Sequence, residues 1–172
     1  MKDRLDPLIA ERAPWLFDAS PVSVLARRVL MSLHGYERSV TLGSLYRDRP
    51  TDHIMRHVAG LLARDVKVSG LENIPRQGAA MIVCNHPTGI ADGIMLHHAL
   101  WPIRPDLFIY ANSDILRILP QFTSLIAPVE WRVDKRTRAK TRETMEYTRT
   151  AIEAGRLGVI FPSGRLAKRK GL

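Results

Sequence analysis

The spacing of apolar residues predicts helices over roughly residues 1–65. Ser20 and Pro21 form a suitable N-cap and first-turn pair for one of them. Apolar side chains then recur three or four positions apart, on one face of this helix: Val22, Leu25, Val29 and Leu33. A second helix is predicted to begin at Thr51 or Asp52. Residues 1–65 are therefore predicted to form an N-terminal helical segment.

After this segment the periodicity changes to that of strands alternating with helices. Val66 and Val68 predict a short strand, and the continuous apolar run over 79–84 is typical of a strand buried on both faces. Further elements are predicted in alternation: a helix near 91–101, a strand near 107–111, a helix near 113–119, a strand near 126–131, a helix near 134–154 and a strand near 157–161. This pattern predicts an α/β fold, a mostly parallel sheet with helices on both faces, preceded by the N-terminal helices. We divide the chain into a helical segment, 1–65, and an α/β core, 66–172.

The composition narrows the class of protein. The chain has 172 residues, of which 45% are hydrophobic and 25% charged, which is ordinary for a globular domain and excludes a disordered or fibrous chain. The single cysteine, Cys84, excludes an intramolecular disulfide framework and a cysteine-based zinc site. Neither a long apolar run nor a secretory signal is visible, so we expect a protein that is peripheral to a membrane at most.

Positive charge is concentrated in the last quarter of the chain. Residues 131–172 contain 12 Lys and Arg against 4 Asp and Glu, which accounts for eight of the nine net positive charges. Such a basic segment predicts an anionic partner: an anionic membrane surface, a phosphate-bearing substrate or nucleic acid. Nucleic acid is disfavoured, because aromatic side chains do not alternate with the basic ones as in a stacking platform. A merely solvated face of the helix near 134–154 is an equally good interpretation of its basic residues.

Two unusual segments follow predicted strands, at the edge where ligands bind in open α/β sheets. In the first, His86 precedes a helix that carries Asp92 in or near its first turn, and Gly89 lets the backbone approach a substrate closely. A carboxylate there can accept the imidazole N–H and fix the tautomer, as a general base for a hydroxyl requires. In the alternative interpretation, of about equal weight, Asp92 only caps its helix and His86 is an ordinary loop histidine.

The second segment contains Ser163 and Arg165. A serine nucleophile elbow requires glycines two positions on either side, where this chain has Phe161 and Arg165, so a hydrolase is disfavoured. Arg165 heads a cationic cluster that could hold a phosphate next to a pocket, or could be a solvated tail.

Three motifs in order resemble the glycerolipid acyltransferase family, that of the 1-acylglycerol-3-phosphate acyltransferases. They are Asn-His-Pro-Thr-Gly-Ile-Ala-Asp-Gly at 85–93, Val-Glu-Trp-Arg at 129–132, and Gly-Val-Ile-Phe-Pro-Ser-Gly-Arg at 158–165. The resemblance runs from Val66 to the last residue.

The chain departs from the usual pattern of this family in three ways. Five residues separate His86 from Asp92 where the family usually has four, and this longer form resembles the hemolysin-like branch that includes lyso-ornithine-lipid acyltransferases. Ser163 replaces the glutamate of Phe-Pro-Glu-Gly-Thr-Arg, and Arg165 comes one position early. The chain also stops at Leu172 where family members continue, so we expect it to lack a C-terminal part of the core.

The resemblance implies an O-acyltransferase. His86 would deprotonate an acceptor hydroxyl, and Asp92 would orient and polarise His86. The acyl donor would be acyl-CoA or acyl carrier protein, and the acceptor a lysophospholipid or lyso-ornithine lipid, with no metal, cofactor or covalent acyl-enzyme. Residues at the implied substrate-binding positions are Asn85, Gly89, Arg132, Ser163, Gly164 and Arg165. The expected location is peripheral, on the cytoplasmic side of an anionic membrane. The alternative is a non-catalytic basic module that docks on such membranes.

Overall fold

The computed structural model describes residues 1–63 and 65–163. The helices are α1 (Lys2–Ala10), α2 (Pro21–Leu33), α3 (Tyr36–Tyr46), α4 (Thr51–Leu62), α5 (Ile90–Leu100), α6 (Asp114–Ile118) and α7 (Arg138–Glu153). The strands are β1 (Ala80–Val83), β2 (Phe108–Asn112), β3 (Ile126–Val129) and β4 (Leu157–Ile160). None of the helices in these described ranges has both the length and the apolar character needed to cross a bilayer.

The described residues form two compact units. The first contains 1–49 together with 114–120, and the second contains 50–63, 65–113 and 121–163. In the first unit, α6 is tied to the end of α1 by ion pairs. Arg117 reaches Glu11 at 2.7 Å, and Arg12 pairs with Asp114.

Helix α2 of the first unit turns its apolar stripe outward. The side-chain oxygen of Ser20 caps the helix by accepting the N–H of Ser23 at 3.1 Å, and Pro21 occupies the first turn, so the helix begins where the sequence predicts. The four apolar residues of the stripe are nevertheless exposed: Val22 (76%), Leu25 (63%), Val29 (47%) and Leu33 (75%). The buried residue of this helix is Ser23, on another face.

The second unit is built on a parallel sheet. Its order is β1-β4-β2-β3, and every neighbouring pair is parallel. The register pairs Ile82 with Val159 across β1 and β4, and Tyr110 with Ala127 across β2 and β3. The predicted α/β class with a parallel sheet is confirmed.

The strand order places the two long crossover helices on opposite faces of the sheet. In this order, the chain moves two positions across the sheet from β1 through α5 to β2, and two positions back from β3 through α7 to β4. Because crossovers between parallel strands are right-handed, connections that run in opposite directions place their helices on opposite faces. On the α7 side, Ala151 packs with Phe108 and Ala127 in the core, and Tyr147 closes this cluster. Strand β4, in the interior of the sheet, is buried at Leu157, Gly158 and Val159.

Two strand predictions were wrong. Val66 and Val68 lie in irregular, exposed chain, because no neighbouring strand pairs with them in the described structure. The run over 79–84 does form β1, but this strand lies at the edge of the sheet and is not buried on both faces. Its Met81 and Val83 are 41% and 65% exposed.

The basic helix begins four residues later than predicted. Residues 133–135 form a short 3-10 turn, and Thr137 caps α7 by accepting the N–H of Lys140 at 3.2 Å. Lys135 and Arg136 therefore precede the helix, whereas Arg138 opens it.

The amino edge of the sheet is held together by Arg104, which is 1% exposed. Its guanidinium donates to the carbonyls of Pro75, Gly78 and Gly155 at 2.7–2.9 Å, and it pairs with Asp106 through two hydrogen bonds of 2.8 Å. One side chain thus joins the segment before β1, the α7–β4 turn and the start of β2. Hydrogen bonding to Asp106 is the main reason that the pKa of Arg104 is raised.

Candidate active site

The segment after β1 and the segment after β4 meet at the carboxyl edge of the sheet. The two strands are neighbours, and the ladder continues one residue further, where the N–H of Cys84 donates to the carbonyl of Ile160 at 3.0 Å. The rings of His86 and Phe161 then pack together, with centroids 4.4 Å apart. The two segments that the sequence singled out are therefore brought together.

His86 and Asp92 are in contact. Nδ1 of His86 lies 3.0 Å from Oδ2 of Asp92, and the two side chains are 22% and 9% exposed. The ring N–H does not point along the line to the oxygen, so the contact has hydrogen-bond length without good alignment. Because Nδ1 is the nitrogen beside the carboxylate, a proton is favoured there, and Nε2 is then the nitrogen that can take a proton from a substrate.

Asp92 is fixed by three hydrogen bonds from Thr88 and Gly89. Its Oδ2 accepts the backbone N–H groups of Thr88 at 3.0 Å and Gly89 at 3.1 Å, and its Oδ1 accepts the hydroxyl of Thr88. Burial raises the pKa of Asp92, but the bonds from Thr88 and Gly89 and the neighbouring His86 outweigh it, so this pKa lies below its usual value. Asp92 thus both caps α5 and faces His86, which combines the two interpretations that the sequence left open.

Gly89 gives the loop a conformation that other residues avoid. Its φ is 80° and its ψ −130°, which is a region essentially restricted to glycine. This turn lets the chain leave His86, offer the N–H of Gly89 to Asp92 and enter α5 directly. Gly89 therefore positions the pair through the backbone.

Arg132 follows β3 and belongs to a charged cluster at the start of α7. Its guanidinium holds Asp134 through bonds of 2.6 and 3.1 Å, and its N–H donates to the Glu130 carboxylate. Glu130 in turn binds Lys140 at 2.7 Å. Because β3 lies three strand positions from β1, Arg132 begins about 14 Å along the sheet from the His86 segment. A ligand touching both would have to be extended.

The other sequence candidates lie at the same edge or beyond the described residues. Asn85 is exposed directly before His86, and Ser163 is exposed in the turn that follows β4. Gly164 and Arg165 fall outside the described residues.

Comparison with known proteins agrees with this architecture. Residues 65–172 match the family described as Acyltransferase. The chain belongs to the acyltransferase family. The motif resemblance found in the sequence is thereby confirmed at the level of the family, and no solved structure gives a significant match.

Curated relatives of this acyltransferase-family chain include two proteins named lyso-glycine lipid O-acyltransferase. The protein from Phocaeicola vulgatus is 27% identical over 106 residues, which are 62% of this chain and 36% of the relative. The protein from Bacteroides thetaiotaomicron is 26% identical over 105 residues, 61% of this chain and 37% of the relative. An uncharacterized protein of Mycobacterium tuberculosis is 38% identical over 58% of this chain and 26% of its own length. The chain thus matches little more than a third of the length of the two lyso-glycine lipid relatives, and about a quarter of the mycobacterial one.

Sequence reasoning missed the residues that hold this site in place. Thr88 lies inside the first motif, four residues before Asp92, and a hydroxyl so close to a carboxylate at a helix start could have been predicted to bind it. The packing of Phe161 on His86 could not be predicted from the sequence, because it depends on β1 and β4 being neighbours in the sheet. Glu130 and Lys140 likewise meet only because α7 returns past the end of β3.

Proposed function

We propose that this chain is the catalytic part of a lipid O-acyltransferase that acylates the hydroxyl of a lysolipid from an acyl thioester. The observation that carries the proposal is the contact of His86 with Asp92 at the carboxyl edge of the sheet, in a chain of the acyltransferase family. The names of the two lyso-glycine lipid relatives support a lysolipid acceptor over other alcohols.

The chemistry requires one acyl transfer and two proton transfers, the first to His86 and the second from it. Nε2 of His86 takes the proton of the acceptor hydroxyl while Asp92, held by Thr88 and Gly89, stabilises the imidazolium that forms. The hydroxyl oxygen bonds to the thioester carbonyl carbon, and the carbon–sulfur bond then breaks. The new ester leaves with the acceptor, and the thiolate takes the proton from His86.

Asp92 suits this role because it remains ionised. Its lowered pKa and its fixed position mean that it does not need to reorganise when positive charge forms on His86. The packing of Phe161 on the ring adds a second restraint, so that His86 has few orientations available.

Basic residues beyond β3 supply sites for the anionic parts of the substrates. We assign Arg132 to a phosphate of the acyl donor or acceptor, at the far end of an extended ligand. Arg165, which the sequence also proposes for this task, is retained as a substrate-binding candidate. The basic residues around the start of α7 would attract an anionic membrane or the phosphates of coenzyme A, consistent with a peripheral location on the cytoplasmic side.

The deciding experiment measures thiol release from a long-chain acyl-CoA and, separately, from acyl carrier protein. Lysophosphatidic acid, lyso-ornithine lipid and lyso-glycine lipid are offered one at a time in liposomes. We expect acceptor-dependent release with one of them that is lost in His86→Ala and retained in His98→Ala, an exposed histidine of α5. Release that does not depend on His86 would contradict the mechanism.

Absence of release with either donor, also in a chain extended to the length of its relatives, would favour the alternative of a non-catalytic module that docks on anionic membranes. Such a module needs the basic residues but has no use for the His86–Asp92 pair.

The role of Arg132 has its own test. Arg132→Ala should raise the KM for a phosphorylated acceptor more than for a neutral one, whereas Asp134→Ala leaves the guanidinium in place and should not raise it. Equal effects of Arg132→Ala on both acceptors would indicate a structural role.

A further inference from the structure

Helix α2 carries an apolar face that nothing covers in the described structure. Val22, Leu25, Val29 and Leu33 are spaced three and four residues apart, and each is 47–76% exposed. Amphipathic helices of globular proteins normally turn such a stripe toward the core. Here the opposite happens, because Ser23 faces inward and the stripe faces solvent.

The charges of α2 select one kind of partner. The helix contains Arg27 and Arg28 and no acidic residue. Arg28 is exposed, whereas Arg27 lies over the ring of Phe17 at 5.4 Å. Arg28 lies beside the stripe, about 60° around the helix from Leu25, whereas Arg27 lies on the side of Ser23. A second copy of α2 packed on the stripe would offer Arg28 no anionic group, because the helix has no acidic residue. An anionic bilayer offers acyl chains to the stripe and headgroups to Arg28.

The size of the helix agrees with binding in the plane of a membrane. Its 13 residues extend about 20 Å, which is too short to span the hydrocarbon core but suits a helix lying at the interface. Trp15, half exposed in the 3-10 turn that packs against α2, adds an interfacial side chain in the same unit.

We infer that α2 inserts its stripe Val22, Leu25, Val29 and Leu33 into the surface of an anionic phospholipid bilayer. Docking through α2 does not depend on His86 and goes beyond the proposed reaction. It also differs from attraction by the basic residues near α7, because apolar insertion persists at high salt whereas screened charge attraction does not.

The test is sedimentation of the full chain with vesicles of phosphatidylcholine alone or with added phosphatidylglycerol, at low and high salt. Leu25→Gln/Leu33→Gln should lower the partition coefficient about 10- to 100-fold at high salt. The matched control Leu61→Gln/Leu62→Gln, on the comparably exposed end of α4, should stay within about twofold of the wild type. His86→Ala should bind vesicles normally, so that failure of docking and failure of catalysis are distinguishable.

A label gives a second readout that does not depend on altered leucines. In a Cys84→Ser background, an environment-sensitive fluorophore on Val29→Cys should shift to the blue with anionic vesicles, and one on Gln77→Cys, in the exposed loop before β1, should not. Vesicle binding unchanged by Leu25→Gln/Leu33→Gln would overturn the inference. The inference would also be overturned if the chain without lipid were a dimer that Leu25→Gln/Leu33→Gln converts to monomer without weakening its binding to vesicles.

Discussion

The two edges of the sheet use charged side chains in opposite ways. At the amino edge, Arg104 is buried, and its guanidinium is bonded to three carbonyls and Asp106. At the carboxyl edge, His86 is partly exposed and touches Asp92 through one nitrogen only. The first arrangement ties chain segments together, whereas the second leaves a ring nitrogen for chemistry. Changes at the two edges should therefore separate stability from activity.

The largest effect is expected from His86→Ala. A general base contributes about 10²- to 10⁴-fold to the rate, so acceptor-dependent thiol release should fall by that factor. The melting temperature should change little, because the ring is partly exposed and contacts Phe161 at the surface end of the sheet. A variant that unfolds, or one that keeps its activity, would contradict the contrast between the edges.

Arg104→Ala should produce the converse result. It removes donors from the carbonyls of Pro75, Gly78 and Gly155 and leaves Asp106 without its partner, so the free energy of unfolding should fall by about 3–5 kcal/mol. Urea unfolding measures this loss. Arg149→Ala is the matched control, because its ion pair with Glu153 is exposed and should contribute less than about 1 kcal/mol. Equal losses in the two variants would show that Arg104 is not a structural link.

The sequence predicted the core strands because their patterns are local. The segments that became β2 and β4 were predicted as strands near 107–111 and 157–161, and the pattern around His86 placed Asp92 in or near the first turn of the next helix. Arg104 was missed for a physical reason. Three of its partners are backbone carbonyls from separate segments. Every residue has such a carbonyl, so the residue types do not indicate which ones an arginine will bind.

Edge position and face orientation were also beyond the sequence. Met81 and Val83 look the same in a central strand and in an edge strand, and only the crossovers decide that β1 lies at the edge. In α2 the sequence correctly predicted that the apolar residues share one face of the helix. Whether that face is buried or exposed depends on how the other segments of the first unit pack.

Helix α5 links the two edges, and its buried histidine predicts acid sensitivity. His97 is 2% exposed and stacks on Trp101. Burial, reinforced by His98 and opposed by Asp52, lowers its pKa to about 4 from 6.5. The unfolded chain therefore binds a proton more readily between these values, and stability is lost as the pH falls from 6.5 toward 4.

The expected loss between pH 7 and pH 4.5 is about 2–3 kcal/mol. Urea unfolding at the two pH values measures it, and His97→Leu should remove most of this dependence while the exposed His98→Gln keeps it. Carboxyl groups with a lowered pKa, such as Asp92, also reduce stability on acidification, but only as the pH falls below the ordinary carboxyl pKa. They therefore do not account for a loss between pH 7 and pH 4.5. An unchanged pH dependence in His97→Leu would show that His97 is not the group responsible.

The smallest effect tests whether the carboxyl edge is as rigid as its hydrogen bonds indicate. Thr88→Val removes the hydroxyl that donates to Asp92 and keeps the backbone N–H bond and the side-chain volume. A hydrogen bond to a charged group contributes about 1.5–3 kcal/mol, so the free energy of unfolding should fall by about that amount or less. If Asp92 positions His86, kcat should fall about tenfold with KM nearly unchanged, since the loss acts on the transition state. Thr88→Ser should restore both quantities. A stability loss without any change in kcat would mean that Thr88 and Asp92 serve the start of α5 alone.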